Sequence, residues 1–279
     1  MSDALAVFHG AFGRVCLYAM DRAMAPHCHR EGHLLFHIQG PEAGLVVDGR
    51  LHRLSPGRAV AVSPWQTHYY QPLDERERTL ALVLYIRPGW FLDAARRATA
   101  TLRFGRAGVE VTDPLARLVF GVANDLLSED AADPKVEERL CALTQSAFDQ
   151  SWQWTERGPD FAGPALPQRD YRIRNAIRIL QERVGEAQEL DRVAREVGLS
   201  RPHFYKLFRA QVGVTPNIYL NTLRMERAIE RLAGSEAAVS EIGLDLGFSS
   251  QASFSRFFIA NGVVPPSAYR RSVHVQSAA

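Results

Sequence analysis

Residues 190–216, LDRVAREVGLSRPHFYKLFRAQVGVTP, and residues 239–266, VSEIGLDLGFSSQASFSRFFIANGVVPP, are two copies of one pattern. Val193 aligns with Ile242, Ala194 with Gly243, Gly198 with Gly247, Leu199 with Phe248, Phe204 with Phe254, Phe208 with Phe258 and Pro216 with Pro266. The offset is 49 residues before the turn and 50 after it, so the second turn is one residue longer. Each copy reads as helix-turn-helix. The first helix ends at a glycine, Gly198 or Gly247, which takes the left-handed C-cap conformation at little cost. An apolar residue follows to plug a core, and Ser200, or Ser249 and Ser250, is placed to cap the next helix. That helix carries aromatics at i and i+4, which share one face and point inward. A continuous helix from Pro216 to about Leu232 joins the copies. A single helical hairpin with a solvated charged face is explained by packing alone; two in tandem on a basic segment point to a polyanion.

The charge is divided accordingly. Residues 1–168 carry 17 Lys+Arg against 20 Asp+Glu, a net of −3, whereas residues 169–279 carry 16 against 11, a net of +5. A localised basic domain is the electrostatic footprint of a nucleic-acid partner. The outward face of the second helix holds Arg201, Pro202, Tyr205, Lys206 and Arg209 in the first copy, and Gln251, Ala252, Ser255 and Arg256 in the second. Donors and small residues of this kind read base edges and phosphates.

Residues 170–271 resemble the DNA-binding domain of the AraC family of bacterial regulators. The resemblance rests on the turn GLS, the helix ending LFRAQVGVTP, the connecting helix IYLNTLRMERAIERL, the second unit EIGLDLGFSSQASFSRFF and the closing PPSAYRRS. It implies double-stranded promoter DNA as partner, with RNA polymerase a further one, and base-facing roles for Pro202, Tyr205, Lys206, Gln251, Ala252 and Arg256. Two of these depart from a reading role. Pro202 has no side-chain hydrogen bond to give, and Ala252 offers only a methyl. The segment IANGVVPP also departs from the family's usual basic residue and glycine spacing.

The N-terminal part reads as short strands punctuated by Gly and Pro: Val15–Ala19, His33–Ile38, Leu45–Val47, Leu51–Leu54, Arg58–Val62, Thr67–Tyr70 and Thr79–Ile86. Asp48-Gly49 between LVV and RLHRL is a two-residue hairpin signal. Many short strands at this spacing imply a small sandwich or barrel. Residues 26–40, PHCHREGHLLFHIQG, place His27 and His29 on one side of an extended chain, followed by His33, and His68 arrives in SPWQTHYY. Imidazoles converging in a barrel suit a divalent transition metal such as Zn, Ni, Cu or Fe. The pattern resembles the cupin barrel, with His33 where cupins have Glu, Gly40 at the closing glycine and His68 in an imperfect second motif. A metal-free polar lining that holds an organic effector is the other reading of His27, His29, His33 and His68. Trp65, with Tyr69 and Tyr70, is expected to line the same pocket, whereas His37 and His52 read as ordinary strand residues.

The expected fold is thus two-domain: an all-β cupin-like barrel over 1–111 with two following helices over 112–156, a Pro/Gly-rich linker at 157–168, and an all-α double helix-turn-helix over 169–279. Helical period returns after Pro114, and Leu115, Leu118, Val122 and Leu126 form a stripe; it is expected to build a homodimer, the other reading being that it packs on its own barrel. Residues 1–13, with Phe8 and Phe12, are expected as an arm over the pocket mouth, as the family resemblance implies. The linker is expected to keep the domains from sharing a rigid connection. No apolar run approaches the ~20 residues of a membrane span, the N-terminus lacks a signal-peptide pattern, and Cys16, Cys28 and Cys141 are scattered. These point to the reducing bacterial cytoplasm. The leading function is a DNA-binding regulator controlled by a small molecule or metal; the alternative is a cupin-type metalloenzyme with an accessory DNA-binding domain.

Overall fold

In a computed structural model, the described residues are 2–74, 76–94, 102–128, 134–152, 170–186, 190–262 and 264–275; the expected linker, 157–168, lies outside them. The N-terminal half is built from β1 (Asp3–Gly10), β2 (Gly13–Met20), β3 (Gly32–Gln39), β4 (Ala43–Val47), β5 (Arg50–Leu54), β6 (Arg58–Val62), β7 (His68–Pro72) and β8 (Thr79–Ile86). A short helix α1 (Pro88–Ala94), strand β9 (Gly108–Glu110) and helices α2 (Asp113–Leu127) and α3 (Pro134–Trp152) follow. The strands form a large sheet, β10-β1-β2-β8-β3-β6-β9, and a small one, β5-β4-β7, where β10 is Val273–Val275 at the far end of the chain. The β4–β5 hairpin turns at Asp48 and Gly49, both with positive φ (48° and 81°), as a two-residue loop requires.

Strand β8 shows how the large sheet is buried on both faces. Ala81, Val83 and Tyr85 pack inward with the small sheet, while Leu82, Leu84 and Ile86 pack outward beneath α2 and α3. This outer layer corrects the expected dimer stripe. Leu115 and Val122 are fully buried in their own chain, Leu126 is nearly so, and Leu118 is partly buried in the same cluster. The large apolar residues that α2 leaves in solvent are Phe120 and Leu127, 49% and 62% exposed. The expected N-terminal arm is likewise a strand of the sheet. Residues 3–10 pair with β2 on one side and β10 on the other, and Phe8 and Phe12 are buried beneath the helices rather than over a pocket. Its residues serve both faces: Ala4 and Val7 join the inner cluster and Ala6 and Phe8 the outer one, with a register shift between Ala4 and Ala6, while Asp3 and Leu5 are exposed.

The C-terminal half contains α4 (Tyr171–Glu182), α5 (Leu190–Glu196), α6 (Arg201–Val212), α7 (Pro216–Gly234), α8 (Val239–Asp245), α9 (Gln251–Gly262) and α10 (Pro266–Arg271). Both turns have the expected glycine geometry, with φ of +72° at Gly198 and +81° at Gly247. Leu199 N–H reaches back to Ala194 O and Phe248 N–H to Gly243 O, the bonds that close a left-handed helix end. Phe204, Phe208, Phe254 and Phe258 are wholly buried. The serines differ. Ser250 Oγ accepts from Ser253 N–H, but Ser200 makes no capping bond, because Pro202 already fills the helix start without needing one.

The two halves touch directly. Parallel β10 adds Val273 to His274 onto β1, Val7 N–H donates to Ser272 O at 2.7 Å, and Ala25 N–H donates to Ala260 O at 2.8 Å. His9 Nε2 and the Tyr269 hydroxyl share a hydrogen bond at 2.8 Å. The expectation of domains without a rigid connection is therefore corrected by a built contact that does not involve the linker.

Two predictions follow from these turns and this joint. Gly198→Ala should cost about 1–2 kcal/mol for the left-handed backbone alone, since nothing lies within 4 Å of the new Cβ. Gly247→Ala should cost more, because its Cβ would stand 2.8 Å from Glu186 O and 3.0 Å from Gly185 O; equal losses in urea titrations would disprove the packing difference. Burial, with Arg14 and Arg87 nearby, lowers the His9 pKa from 6.5 to about 4. The unfolded chain then binds more protons, so this contribution is complete above pH 6.5 and is lost as pH falls toward 4. The unfolding free energy of the wild type should converge on that of His9→Gln across this window, by on the order of 1 kcal/mol per pH unit. A pH-independent difference between the two would exclude it.

Candidate functional site

The histidines of the HxH segment and of β7 meet at the end of the β domain that faces the helices. His27 and His68 form a backbone bridge, each N–H donating to the other's carbonyl at 3.0 and 2.9 Å. Their rings lie 4.5 Å apart, and the His29 ring is 4.5 Å from that of His68. His27, His29 and His68 each turn one ring nitrogen to a common point, all within 4.8 Å of one another. His33, at the start of β3, stands beside them, its ring 4.8 Å from His29 and 5.1 Å from His68.

Backbone carbonyls fix which nitrogen points inward. A carbonyl only accepts, so His27 Nδ1–H donates to Ala25 O at 2.8 Å, His68 Nδ1–H to Gln66 O at 2.8 Å and His33 Nδ1–H to Leu84 O at 3.2 Å. The Nε2 atoms of His27, His33 and His68 then carry the lone pairs, and His68 Nε2 accepts from His29 Nε2–H at 3.1 Å, a proton that a bound cation would replace. Burial lowers all four pKa values, that of His27 to about 4; neighbouring imidazoles and Arg14 depress His29 and His33 further, Arg14 alone depresses His27, and His27 depresses His68. The rings are neutral near pH 7, the form in which histidine ligates. Two nitrogens bound at ~2.0–2.1 Å to a tetrahedral ion would stand roughly 3.4 Å apart, close to the 3.1 Å between His29 Nε2 and His68 Nε2. Carbonyl-oriented imidazoles are the usual support of a metal ligand set. His37 instead bonds Gly40 O at 3.0 Å within its own strand end, as expected of a structural residue.

Behind the rings, the space between the sheets is small, about 280 Å³, lined by Tyr18, Leu35, Leu45, Tyr70 and Val83 among others. In front of them, between the two halves, a cleft of about 500 Å³ including space open to solvent is lined by both. Arg14 crosses it, its guanidinium 3.6 Å from the Tyr85 ring centre and 3.3 Å from Glu31. Glu226 on α7 pairs with Arg30 at 3.1 Å, and burial pushes its carboxyl up to about 7. Nothing in the sequence marks Arg14 or Glu226 as meeting there.

Trp65 is not where the sequence reading puts it. Its ring leaves the histidines and stacks on Tyr219 of α7, 5.2 Å away and 8° from parallel. Its φ is +66°, a left-handed conformation that costs a non-glycine residue on the order of 1 kcal/mol or more. Tyr70 does line the inner space, and Tyr69 packs partly buried against that core. On the helical side, Arg201, Pro202, Lys206 and Arg209 of α6 and Gln251, Ala252 and Arg256 of α9 are exposed, while Tyr205 and Ser255 are half-buried. Arg201 is drawn toward Asp191 at 3.2 Å and leans over the Tyr205 ring at 5.6 Å.

Known proteins share both halves. The AraC-like ligand binding domain matches residues 12–144 and a helix-turn-helix domain matches residues 193–272. The chain is 35% identical over 241 residues to the probable transcriptional regulator LumQ of Photobacterium leiognathi, spanning 86% of this chain and 89% of that one. It is 34% identical over 252 residues to the transcriptional activator RhaS of Escherichia coli, spanning 86% and 85%. Other alignments are shorter, reaching 67% of the lactose operon transcription activator of Staphylococcus xylosus and 36% of PocR of Salmonella typhimurium. In fold, an apo ToxT variant of Vibrio cholerae matches with a TM-score of 0.61 at 14% identity over 95% of this chain and 98% of that one. The tandem helix-turn-helix and the β domain thus make this chain a member of the AraC family, a DNA-binding transcription regulator with an N-terminal ligand-binding domain and not an enzyme.

Proposed function

We propose that the chain regulates transcription in response to a divalent transition metal held by His27, His29 and His68, with His33 alongside as a further ligand. The observation that carries this reading is the convergence of one ring nitrogen each from the buried His27, His29 and His68, with His27 and His68 oriented by backbone carbonyls. The inner space supports it too, since Tyr18, Leu35, Leu45, Tyr70 and Val83 fill the region behind the rings with side chains. The metal would supply a charge that joins the rings. A second reading is an organic effector in the cleft between the halves, favoured by the cleft's size and its buried Arg14; ToxT of Vibrio cholerae has been solved with an unsaturated fatty acid bound.

DNA recognition is assigned to α6 and α9, through Arg201, Pro202, Tyr205, Lys206, Arg209, Gln251, Ala252, Ser255 and Arg256. The rigid α7 between them would seat the two helices in successive major grooves, about 34 Å apart. Arg256 is the one basic residue on the outward face of α9, so Arg256→Ala should weaken specific binding by ~1–3 kcal/mol. Equal loss on selected and random DNA would reassign it to phosphate contact, and no loss would remove it from the interface.

Metal binding is tested directly with purified full-length protein. One Zn²⁺ or Co²⁺ per chain should survive gel filtration, with Co²⁺ giving the absorption of a nitrogen-rich site. His29→Ala should lower affinity by at least about 10–100-fold, the scale on which even supporting residues of metal sites act. The absence of retained metal in the wild type would leave the cleft reading in its place.

A further inference from the structure

The histidine cage and the first helix-turn-helix meet through residues interleaved with the ligands. Trp65 N–H donates to His29 O at 2.8 Å. The next residue, Gln66, receives the His68 ring proton on its carbonyl at 2.8 Å, and His68 Nε2 returns to His29 Nε2 at 3.1 Å. His29, Trp65, Gln66 and His68 therefore form a closed ring of contacts. The loop that carries it is stiff: Gln66 N–H donates to Ser63 O, Gln66 Oε1 accepts from Ser63 N–H, and Trp65 holds a left-handed φ of +66° without being glycine. A change in the His29–His68 spacing has to be taken up at Trp65.

From Trp65 the path continues by direct contact. Its ring lies flat on Tyr219, at 5.2 Å and 8°. The Tyr219 ring meets Phe208 edge-on at 5.5 Å, and its hydroxyl accepts from Gln181 Nε2 of α4 at 3.2 Å. Phe208 is fully buried and, with Phe204 at 5.5 Å, forms the inward face of α6. One turn along α7, Thr222 holds the same histidine segment, donating to Cys28 O at 2.9 Å. The helix is thus pinned at Cys28, and Trp65 bears on it at Tyr219.

We propose that Trp65 is a positioning residue that couples occupancy of the His27–His29–His68 cage to recognition helix α6 through its stack on Tyr219. A contiguous packed path with both ends named is the physical form such coupling takes. The proposal deepens the metal reading given above, and part of its test does not depend on metal.

The test is hydrogen exchange of the full chain with and without Zn²⁺, read in residues 201–212, with Zn²⁺ stoichiometry measured in parallel. In the wild type, Zn²⁺ should change exchange there several-fold. Trp65→Leu, which keeps apolar bulk but loses the flat ring, should still bind Zn²⁺ and lose that change, and Trp65→Phe should restore it. The same change in Trp65→Leu as in the wild type, or a wild type that binds Zn²⁺ without any change, overturns the coupling. If the wild type binds no Zn²⁺, the metal reading falls; if Trp65→Leu alone loses Zn²⁺, that reading stands. In both cases His68→Ala decides, because it opens the ring of contacts by substitution. It should alter exchange in 201–212 in the wild-type background and not in Trp65→Leu; equal effects, or none in either, overturn the proposal.

Discussion

Four imidazoles share a site in which a proton is costly on any of them. Each is buried, each faces others of its kind, and the Arg14 guanidinium adds to the field at His27, His29 and His33. A neutral imidazole still has one N–H to satisfy, and in a buried site that group must find an acceptor. The carbonyls of Ala25, Gln66 and Leu84 take it for three of the rings. The fourth, His29, gives its Nε2–H to the lone pair of His68 at 3.1 Å, and a cation that replaced this proton would gather the same nitrogens. The HxH spacing, the His27–His68 bridge and the turn that presents Gln66 all follow the same requirement: they bring the rings together and remove the competing nitrogen.

The joint beside this site is polar where most of the interior is not. Arg14 is sandwiched against Tyr85 and paired with Glu31, and Glu226 reaches from α7 to Arg30. A carboxyl held near 7 by burial is one whose charge is poorly compensated in place. Contacts of this kind add to the joint groups that water solvates well on separation, so this polar part of it can be remade more cheaply than the apolar core beside it.

Much of the fold is legible in the sequence because its punctuation is local. Strands β2 to β8 are bounded by Gly, Pro and Asp-Gly, and the helix-turn-helix units are fixed by a glycine and two phenylalanines at helical spacing. Strand β1 escapes although its antiparallel partner β2 follows at once: a register shift between Ala4 and Ala6 and burial on both faces break the alternation that marks a strand, and its other partner, β10, lies at the far end of the chain. The α2 stripe is visible as a stripe, but an amphipathic helix looks the same whether it covers a second subunit or its own sheet. Three of the four histidines are found by spacing. The role of Trp65 is not, because it depends on a left-handed φ in SPWQT, where no glycine signals one, and on Tyr219 from a distant helix.

The two DNA-facing units are attached to the β domain in different ways, and this decides which of them can move. The second unit is continuous with the domain interior: Phe254, Phe258, Val264 and Tyr269 belong to the same apolar cluster as Val7, Tyr18, Val83 and Tyr85, and β10 extends the sheet directly. The first unit has a core of its own, Ile173, Leu180, Val193, Phe204, Phe208 and Tyr219, to which the β domain contributes Cys28 and Trp65. Displacing the second unit would open a shared core and strip a strand from a sheet, at a cost that scales with the apolar area exposed. Displacing the first unit disturbs one stack, the Cys28–Thr222 contact and the Arg30–Glu226 pair. The unit with the more basic outward face, carrying Arg201, Lys206 and Arg209, is therefore the one held by the lighter attachment. Under the coupling proposed above, a shift of the histidines would act where the resistance to movement is smallest.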